Sequence, residues 1–260
     1  MSNKVYITGD LHGDYSKIQN FVEQNCDTHN FDGSDIMILL GDAGFNYYLD
    51  EKDDKLKEEV SKLPFTFFVI RGNHEERPGY LHEDYKHTGA WKTEMFFENL
   101  VYVETKYPKI KYAMDGPNAY KIKDYLTVIH PGAYSVDKEY RLMNGWRWFK
   151  GEQLTEAERE WGLNFARGLE VDLVLSHTAP LEFEPRDLFL PYINQSTVDK
   201  TMEKYLQEIH ETVDYKLWCF GHYHADRLYP PREDGKSQIM LFNGIQDLDR
   251  LMKIAKENKL

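Results

Sequence analysis

The sequence has few cysteines, no excess of basic residues and no long apolar run, and each shortage disfavours a class of protein. Its two cysteines, Cys26 and Cys219, form no CxxC pair and cannot build a disulfide framework. We expect both to be buried thiols in a reducing compartment. Lys and Arg number 32 against 44 Asp and Glu, a net charge of −12. Nucleic acid is therefore disfavoured as a partner, because its binding needs a basic footprint.

No apolar run approaches the ~20 residues that span a bilayer, so we expect no membrane partner. The first residues, MSNKVYI, have the pattern of a strand and lack the basic, apolar and small-residue regions of a signal peptide. We therefore expect a cytoplasmic protein. The 260 residues, 41% of them hydrophobic, can bury a full-sized core. No repeat or linker-like stretch divides them, which predicts a single domain over residues 1–260 and leaves the oligomeric state open.

Short apolar runs alternate with segments of helical periodicity. Residues 5–8, 36–40 and 65–70 have the continuous apolar character of strands buried on both faces, and residues 15–23 and 52–63 between them have helical spacing. This order predicts parallel strands joined by crossovers. Further strands are predicted at 119–122, 125–129, 171–176, 217–220 and 237–242, and further helices at 155–165, 198–210 and 247–257.

Residues 78–116 show no stable period, and we predict an irregular segment with one or two short helices there. The helix at 155–165 has the clearest start signal, because Thr155 and Glu158 match a capping box. The strands at 119–122 and 125–129 are expected to form an edge hairpin.

Polar residues follow directly after the buried strands. The carboxyl ends of parallel strands meet at one edge of a sheet, so we expect these side chains to share one crevice. A glycine precedes four of the clusters, at positions 9, 41, 72 and 221, where we expect it to let the chain turn sharply. The clusters supply two aspartates, an asparagine and five histidines: Asp10, His12, Asp42, Asn73, His74, His177, His222 and His224.

These residue types predict a metal site, although a single Asp-x-His pair or Gly-Asp turn would be a weak signal. Mixed imidazole and carboxylate ligands suit Mn, Fe, Zn or Ni better than Mg or Ca, which prefer oxygen ligands alone. Two metal ions ~3.5–4 Å apart can generate a hydroxide near neutral pH and hold a phosphoryl group under attack. We therefore predict two divalent ions, with Mn²⁺ favoured and Fe, Zn or Ni as alternatives.

The motifs GDLHG (9–13), GD (41–42), GNHE (72–75), His177 and GHYH (221–224) resemble, in this order, the five sequence blocks of the calcineurin-like metallophosphoesterases. They cover most of the chain. The resemblance implies an α/β fold, an α+β sandwich of two facing mixed β-sheets flanked by helices, with the metals at the strand ends on one side.

The resemblance also implies a role for each matching residue. His74 matches the catalytic histidine of the family, which stabilises the transition state or protonates the leaving oxygen. The implied nucleophile is a hydroxide between the metals, and Asp42 is implied to bridge them. Glu75 is expected to orient His74. One metal would be held by Asp10, His12, His224 and Asp42, and the other by Asp42, Asn73, His177 and His222.

Positions 45–47 depart from the serine/threonine phosphoprotein phosphatases. That branch has Asp-Arg-Gly there, and its arginine grips the phosphate, whereas this chain has Phe45, Asn46 and Tyr47. The blocks instead resemble an uncharacterised bacterial branch. We therefore predict Arg71 or Arg141 as the substrate-binding cation.

The predicted activity is hydrolysis of a phosphate mono- or diester, on a small phosphorylated molecule or a nucleotide. A serine/threonine-type phosphoprotein phosphatase and a nuclease or cyclic-nucleotide phosphodiesterase are the alternatives. A scaffold without catalysis is disfavoured, since no ligand is missing. The loops at 76–116 and 181–191 are expected to set the substrate. The aromatic residues Trp146, Trp148 and Phe149 are expected to pack in the core or as a cap rather than form a base-stacking platform.

Overall fold

The computed structural model describes residues 3–84, 90–189, 191–230 and 232–257, which form two β-sheets flanked by helices. The strands are β1 (Val5–Thr8), β2 (Ile36–Leu39), β3 (Thr66–Val69), β4 (Trp91–Phe96), β5 (Asn99–Glu104), β6 (Ile110–Tyr112), β7 (Asn118–Ile122), β8 (Tyr125–His130), β9 (Leu173–Ser176), β10 (Leu217–Phe220), β11 (Arg227–Leu228), β12 (Ser237–Met240) and β13 (Gln246–Asp247). The helices are α1 (Ser16–Asn25), α2 (Glu51–Val60), α3 (Pro78–Asp84), α4 (Lys138–Met143), α5 (Glu156–Ala166), α6 (Thr201–Thr212) and α7 (Leu248–Lys256), with short 3₁₀ turns at Leu181–Phe183, Arg186–Leu188 and Gln195–Thr197.

Both sheets are mixed, as the family resemblance implied. The first has the order β13-β1-β2-β3-β6-β5-β4, in which β1, β2, β3 and β6 are parallel. The second has the order β11-β12-β10-β9-β8-β7, in which β8, β9, β10 and β12 are parallel. Antiparallel strands lie at the edges, including β7 of the predicted hairpin. The parallel strands therefore end on one side of each sheet.

The sheets face each other across an apolar layer, and each is covered by helices on its outer face. Ile38 of β2 and Cys219 of β10 belong to the layer between the sheets. The neighbouring Met37 points outward and packs in one cluster with Ile18 of α1. On the other side, Trp218 packs in a cluster with residues of α5 and α6. Because both faces of the central strands are covered, their sequences are apolar at nearly every position.

The segment at 78–116 differs from its prediction. It contains the expected short helix, α3, but residues 91–112 form β4, β5 and β6. The turn between β4 and β5 places Phe97 and Glu98 in the left-handed region, with φ of 53° and 61°. Such turns usually carry Gly or Asn, so this hairpin has no turn signal in the sequence.

Two further expectations have separate outcomes. Cys219 is buried as predicted, but Cys26 is exposed, so the prediction of two buried thiols is wrong for Cys26. None of the helices among the described residues is both long and apolar enough to cross a bilayer. The assignment of residues 1–260 to one domain stays a prediction.

Candidate metal centre

The loops after β1 and β10 bring three predicted ligands together. The carboxylate of Asp10 and one nitrogen from each of His12 and His224 all lie within 4.8 Å of one another. The two Nε2 atoms are 2.8 Å apart, and Asp10 Oδ2 lies 3.6 Å from that of His12 and 3.4 Å from that of His224. They are three of the four residues that the family resemblance implies for the first metal ion, and Asp42 is the fourth.

A second group, formed by Asp10, Asp42 and His177, is fully buried and has the same spread. His177 Nε2 lies 2.9 Å from Asn73 Oδ1 and 3.5 Å from Asp42 Oδ2. His177 Nδ1 donates to the carbonyl of Leu40 at 2.7 Å. In the neutral imidazole, Nε2 is then an acceptor that faces two oxygen acceptors. A cation between them would satisfy all three.

Each aspartate is held by a backbone N–H through one oxygen only. His222 N donates to Asp10 Oδ1 at 3.0 Å, and His74 N donates to Asp42 Oδ1 at 2.8 Å. Asp10 Oδ2 is buried and has no hydrogen-bond partner within the described ranges. The two carboxylates therefore direct their second oxygens at the cluster of imidazoles.

The electrostatics of the cluster hold its carboxylates ionised and attract positive charge. Burial opposes ionisation of Asp10 and Asp42, but His177 and neighbouring imidazoles lower both pKa values below their ordinary range. Burial and the nearby His177 lower the pKa of His222 to about 3, which keeps its ring neutral. Burial alone would lower the pKa of His177, but the negative charges of Asp42 and Asp10 have the larger effect and raise it to about 9. A buried set of anions and acceptors that attracts positive charge so strongly fits divalent cations.

Asn73 is fixed by a chain of side chains that has no sequence signature. Its Nδ2 donates to Ser135 Oγ at 2.9 Å, and Ser135 Oγ donates to Glu152 Oε2 at 2.5 Å. This arrangement leaves Asn73 Oδ1 directed at His177. Ser135 and Glu152 lie far along the chain from Asn73 and belong to no motif, so sequence analysis missed them.

Two of the glycines beside the ligands provide room rather than a turn. A Cβ on Gly72 would lie 2.0 Å from Asp42 Oδ1, and one on Gly221 would lie 2.5 Å from Asp10 Oδ1. Among the four glycines named from the sequence, only Gly41 has a positive φ, of 101°. At positions 9, 72 and 221 the glycine is required by the close approach of other atoms rather than by a positive φ.

The ligands themselves carry backbone strain. The φ angles of His12, Asp42, His222 and His224 are 48°, 47°, 71° and 52°, in the left-handed region that non-glycine residues rarely adopt. Such conformations persist where the surrounding structure enforces them, and they cluster at functional sites.

His74 lies beside the second group and contacts one of the predicted cations. Its Nε2 is 3.8 Å from Asp42 Oδ2 and accepts from Arg141 Nη2 at 3.2 Å. Burial, together with the charge of Arg141, lowers the pKa of His74 despite the opposing effect of Asp42. Arg141 is held in place by Asp137, whose two oxygens each accept from its Nε at 2.8 Å.

Arg71 and Glu75 occupy structural positions. Arg71 is only 2% exposed, and its Nη1 donates to the backbone carbonyls of Gly72 and Glu152. Burial lowers its pKa to about 10. Glu75 Oε1 accepts from the backbone N–H groups of residues 44 and 45, at 2.7 and 3.3 Å. Glu75 therefore holds the loop after Asp42, and its expected orientation of His74 stays a prediction.

The family of the chain follows from comparison with known proteins. The model of the calcineurin-like phosphoesterases matches residues 3–226, most of the chain. The chain belongs to this family. The family implies metal-dependent hydrolysis of phosphoester bonds, and the groups at the strand ends form a candidate metal site.

Solved structures support the fold. The protein TT1561 of Thermus thermophilus aligns over 96% of both chains with a TM-score of 0.53 and 13% identity. The phosphopantetheinyl hydrolase PptH from Mycobacterium tuberculosis aligns over 92% of this chain and 89% of its own, at 14% identity and a TM-score of 0.43, too low to bear on function. No curated protein matches the sequence significantly.

Proposed function

We propose that the protein hydrolyses a phosphate mono- or diester at a centre of two divalent metal ions, with Mn²⁺ as the favoured ion. The proposal is supported most directly by Asp10, Asp42 and His177, whose ligand atoms lie close together in the interior. No Lys or Arg among the described residues is hydrogen-bonded to these side chains, so the two buried carboxylates need another source of positive charge. The proposed ligands are Asp10, His12, His224 and Asp42 for one ion, and Asp42, Asn73, His177 and His222 for the other.

The bound ions would lower the pKa of a water molecule and neutralise the charge of the phosphoryl group. The side chains of the protein position the phosphate and supply the proton for the leaving oxygen. We assign Arg141, rather than the buried Arg71, to bind the phosphate, because its Nη2 already reaches His74. His74 Nε2 also lies 3.1 Å from Asn73 Nδ2, so a phosphate oxygen that takes the Arg141 donor would remove one of its two contacts. His74 could then hold the proton needed by the leaving oxygen.

The alternative activities receive no support of their own. Phe45 and Asn46 stand where a phosphoprotein phosphatase has its phosphate clamp, and both are buried. The net charge of −12 disfavours a nuclease, because nucleic acid binding needs a basic footprint. The expected substrate is a small phosphorylated molecule.

The test is hydrolysis of 4-nitrophenyl phosphate and bis(4-nitrophenyl) phosphate with added Mn²⁺. His74→Ala is expected to lower kcat by about 10²–10⁴-fold with an alkyl ester such as glycerol 2-phosphate, whose alkoxide needs the proton of a general acid. The effect is expected to be smaller with the 4-nitrophenyl esters, whose phenolate leaves without a proton. His82→Ala, a histidine of α3 outside the centre, is the control and should retain activity. Full activity of His74→Ala with the alkyl ester, or no hydrolysis of any of these esters by the wild type, would contradict the proposal.

A further inference from the structure

A cavity of about 410 Å³ opens beside His12 and His74 and leads away from the buried ligands. Glycines at positions 13 and 44 form part of its wall, together with His12 and His74. The rest of the wall is largely aromatic and cationic: Tyr47, Tyr48, Lys52, Leu56, Arg141 and Trp146. A substrate whose phosphate lies at His74 would place its alcohol group in this space.

Two aromatic rings of this wall are not buried by the protein. Tyr48 is 42% exposed and Trp146 is 51% exposed. The aromatic cluster was expected to pack in the core or as a cap: Phe149 is buried, whereas Trp146 is half exposed and packs edge-on against Tyr140. Large apolar surface left open inside a cavity next to a reactive centre is typical of a ligand-binding wall.

The cavity carries two cationic side chains. Arg141 lies at the end next to His74. Lys52 Nζ lies 4.3 Å from the centroid of the Tyr48 ring and forms no ion pair with any residue that the structure describes. The one carboxylate in the wall, Asp53, already accepts from the backbone N–H groups of residues 48 and 49. The cavity therefore complements an anion that carries an apolar, planar group.

We propose that this cavity binds the alcohol part of the substrate and selects phosphate esters of alcohols that carry a planar aromatic ring, as nucleoside phosphates do. Tyr48 and Trp146 are the specificity-determining residues. A purely aliphatic alcohol would leave both rings in contact with water, whereas a planar ring can stack on them. The assignment rests on the proposed function, because it requires the phosphate to lie between His74 and Arg141.

The binding test uses Mn²⁺-loaded protein and two phosphonates, which cannot be hydrolysed because they have a C–P bond. Phenylphosphonate and cyclohexylphosphonate have similar size, but only the first is planar. Calorimetry is expected to give a several-fold lower Kd for phenylphosphonate, and this preference should vanish in Tyr48→Ala and Trp146→Ala. Trp161→Ala removes a tryptophan of similar exposure, 49%, on α5 and should keep the preference.

The kinetic test compares adenosine 5′-monophosphate with ribose 5-phosphate, which lacks only the base. The ratio of their kcat/KM values is expected to fall about tenfold in Tyr48→Ala and Trp146→Ala, the effect of losing one base–aromatic stack, and to stay unchanged in Trp161→Ala. Equal binding of the two phosphonates by the wild type, or a ratio that survives both substitutions, would overturn the assignment. Absence of all hydrolysis with normal phosphonate preference would instead overturn the proposed function alone.

Discussion

At the scale of single residues, Asp42 and Asp10 depend on neighbours that leave no room for side chains. Their first oxygens are fixed by backbone N–H groups, and glycines at 72 and 221 lie against those same oxygens. The sequence motifs reveal which residues gather at the strand ends. They do not reveal Ser135 or Glu152, because these residues reach Asn73 only through the packing of loops, which leaves no fixed spacing in the sequence.

Gly72→Ala tests this close packing. The new Cβ would lie 2.0 Å from Asp42 Oδ1 and 2.4 Å from Asp42 N, so the carboxylate has to move. We expect a loss of bound metal and at least a tenfold fall in kcat/KM, measured by elemental analysis and ester hydrolysis. Gly168→Ala is the control, because its Cβ meets nothing closer than 3.8 Å. Normal metal content in Gly72→Ala would show that the packing is unimportant.

Glu203 on α6 predicts a pH dependence of stability. Burial raises its pKa from 4.5 to about 7, and its Oε2 has no hydrogen-bond partner among the described residues. Between pH 4.5 and 7 the unfolded chain loses a proton that the folded chain keeps, so this group lowers stability as pH rises. Glu203→Gln is therefore expected to raise the Tm at pH 8 and to change it little near pH 4.5.

Thermal denaturation at both pH values, with the exposed Glu208→Gln of the same helix as control, measures this effect. A Glu203→Gln variant that is no more stable than the wild type at pH 8 would contradict the expected sign.

At the scale of elements, the central strands were predictable because they are apolar on both faces. The β4–β5 hairpin was not, since its exposed positions include Met95 and Leu100, which breaks the polar–apolar alternation. Its turn also uses Phe97 and Glu98 instead of glycine. Helix α4, which carries Arg141, also escaped prediction because none of its residues is buried and no periodic apolar pattern marks it. Prediction therefore succeeded where burial imposes a pattern.

Glu158 of helix α5 takes part in the N-terminal cap of the helix and also contacts the segment after His74. The predicted capping box of Thr155 and Glu158 is confirmed, and Glu158 also binds the buried Arg77 at 2.6 Å. Glu158→Gln keeps the cap but leaves the Arg77 guanidinium without its counter-charge. We expect a loss of about 2 kcal/mol, less than for a fully buried pair because Glu158 is partly exposed. Denaturant unfolding should show no such loss in the exposed Glu160→Gln on the same helix; equal stability of both variants would refute the role of the pair.

At the scale of the whole molecule, the candidate metal centre lies where the parallel strands of both sheets end. There the carboxylates of Asp10 and Asp42 face imidazoles that follow strands of both sheets. Residues after β1, β2 and β3 belong to the first sheet, and those after β9 and β10 to the second. Ions bound between them would join the sheets, and removing a ligand that binds only the folded state lowers stability.

Chelation is therefore expected to lower the Tm by several degrees, since a ligand present at 100 times its Kd contributes about 2.7 kcal/mol. Added Mn²⁺ should restore the Tm. Differential scanning calorimetry on the wild type and Asp42→Asn measures the effect, which should be much smaller in the variant. A wild type whose Tm ignores chelation would argue against ions that bridge the sheets.

The most direct test of the two-metal centre is the metal content of the purified protein, determined by elemental analysis after loading with Mn²⁺ and removal of free ions. We predict about two ions per chain in the wild type and a marked loss in Asp42→Asn, with ester hydrolysis lost in parallel. Fewer than one ion per chain, together with ester hydrolysis that persists in the presence of a chelator, would contradict it.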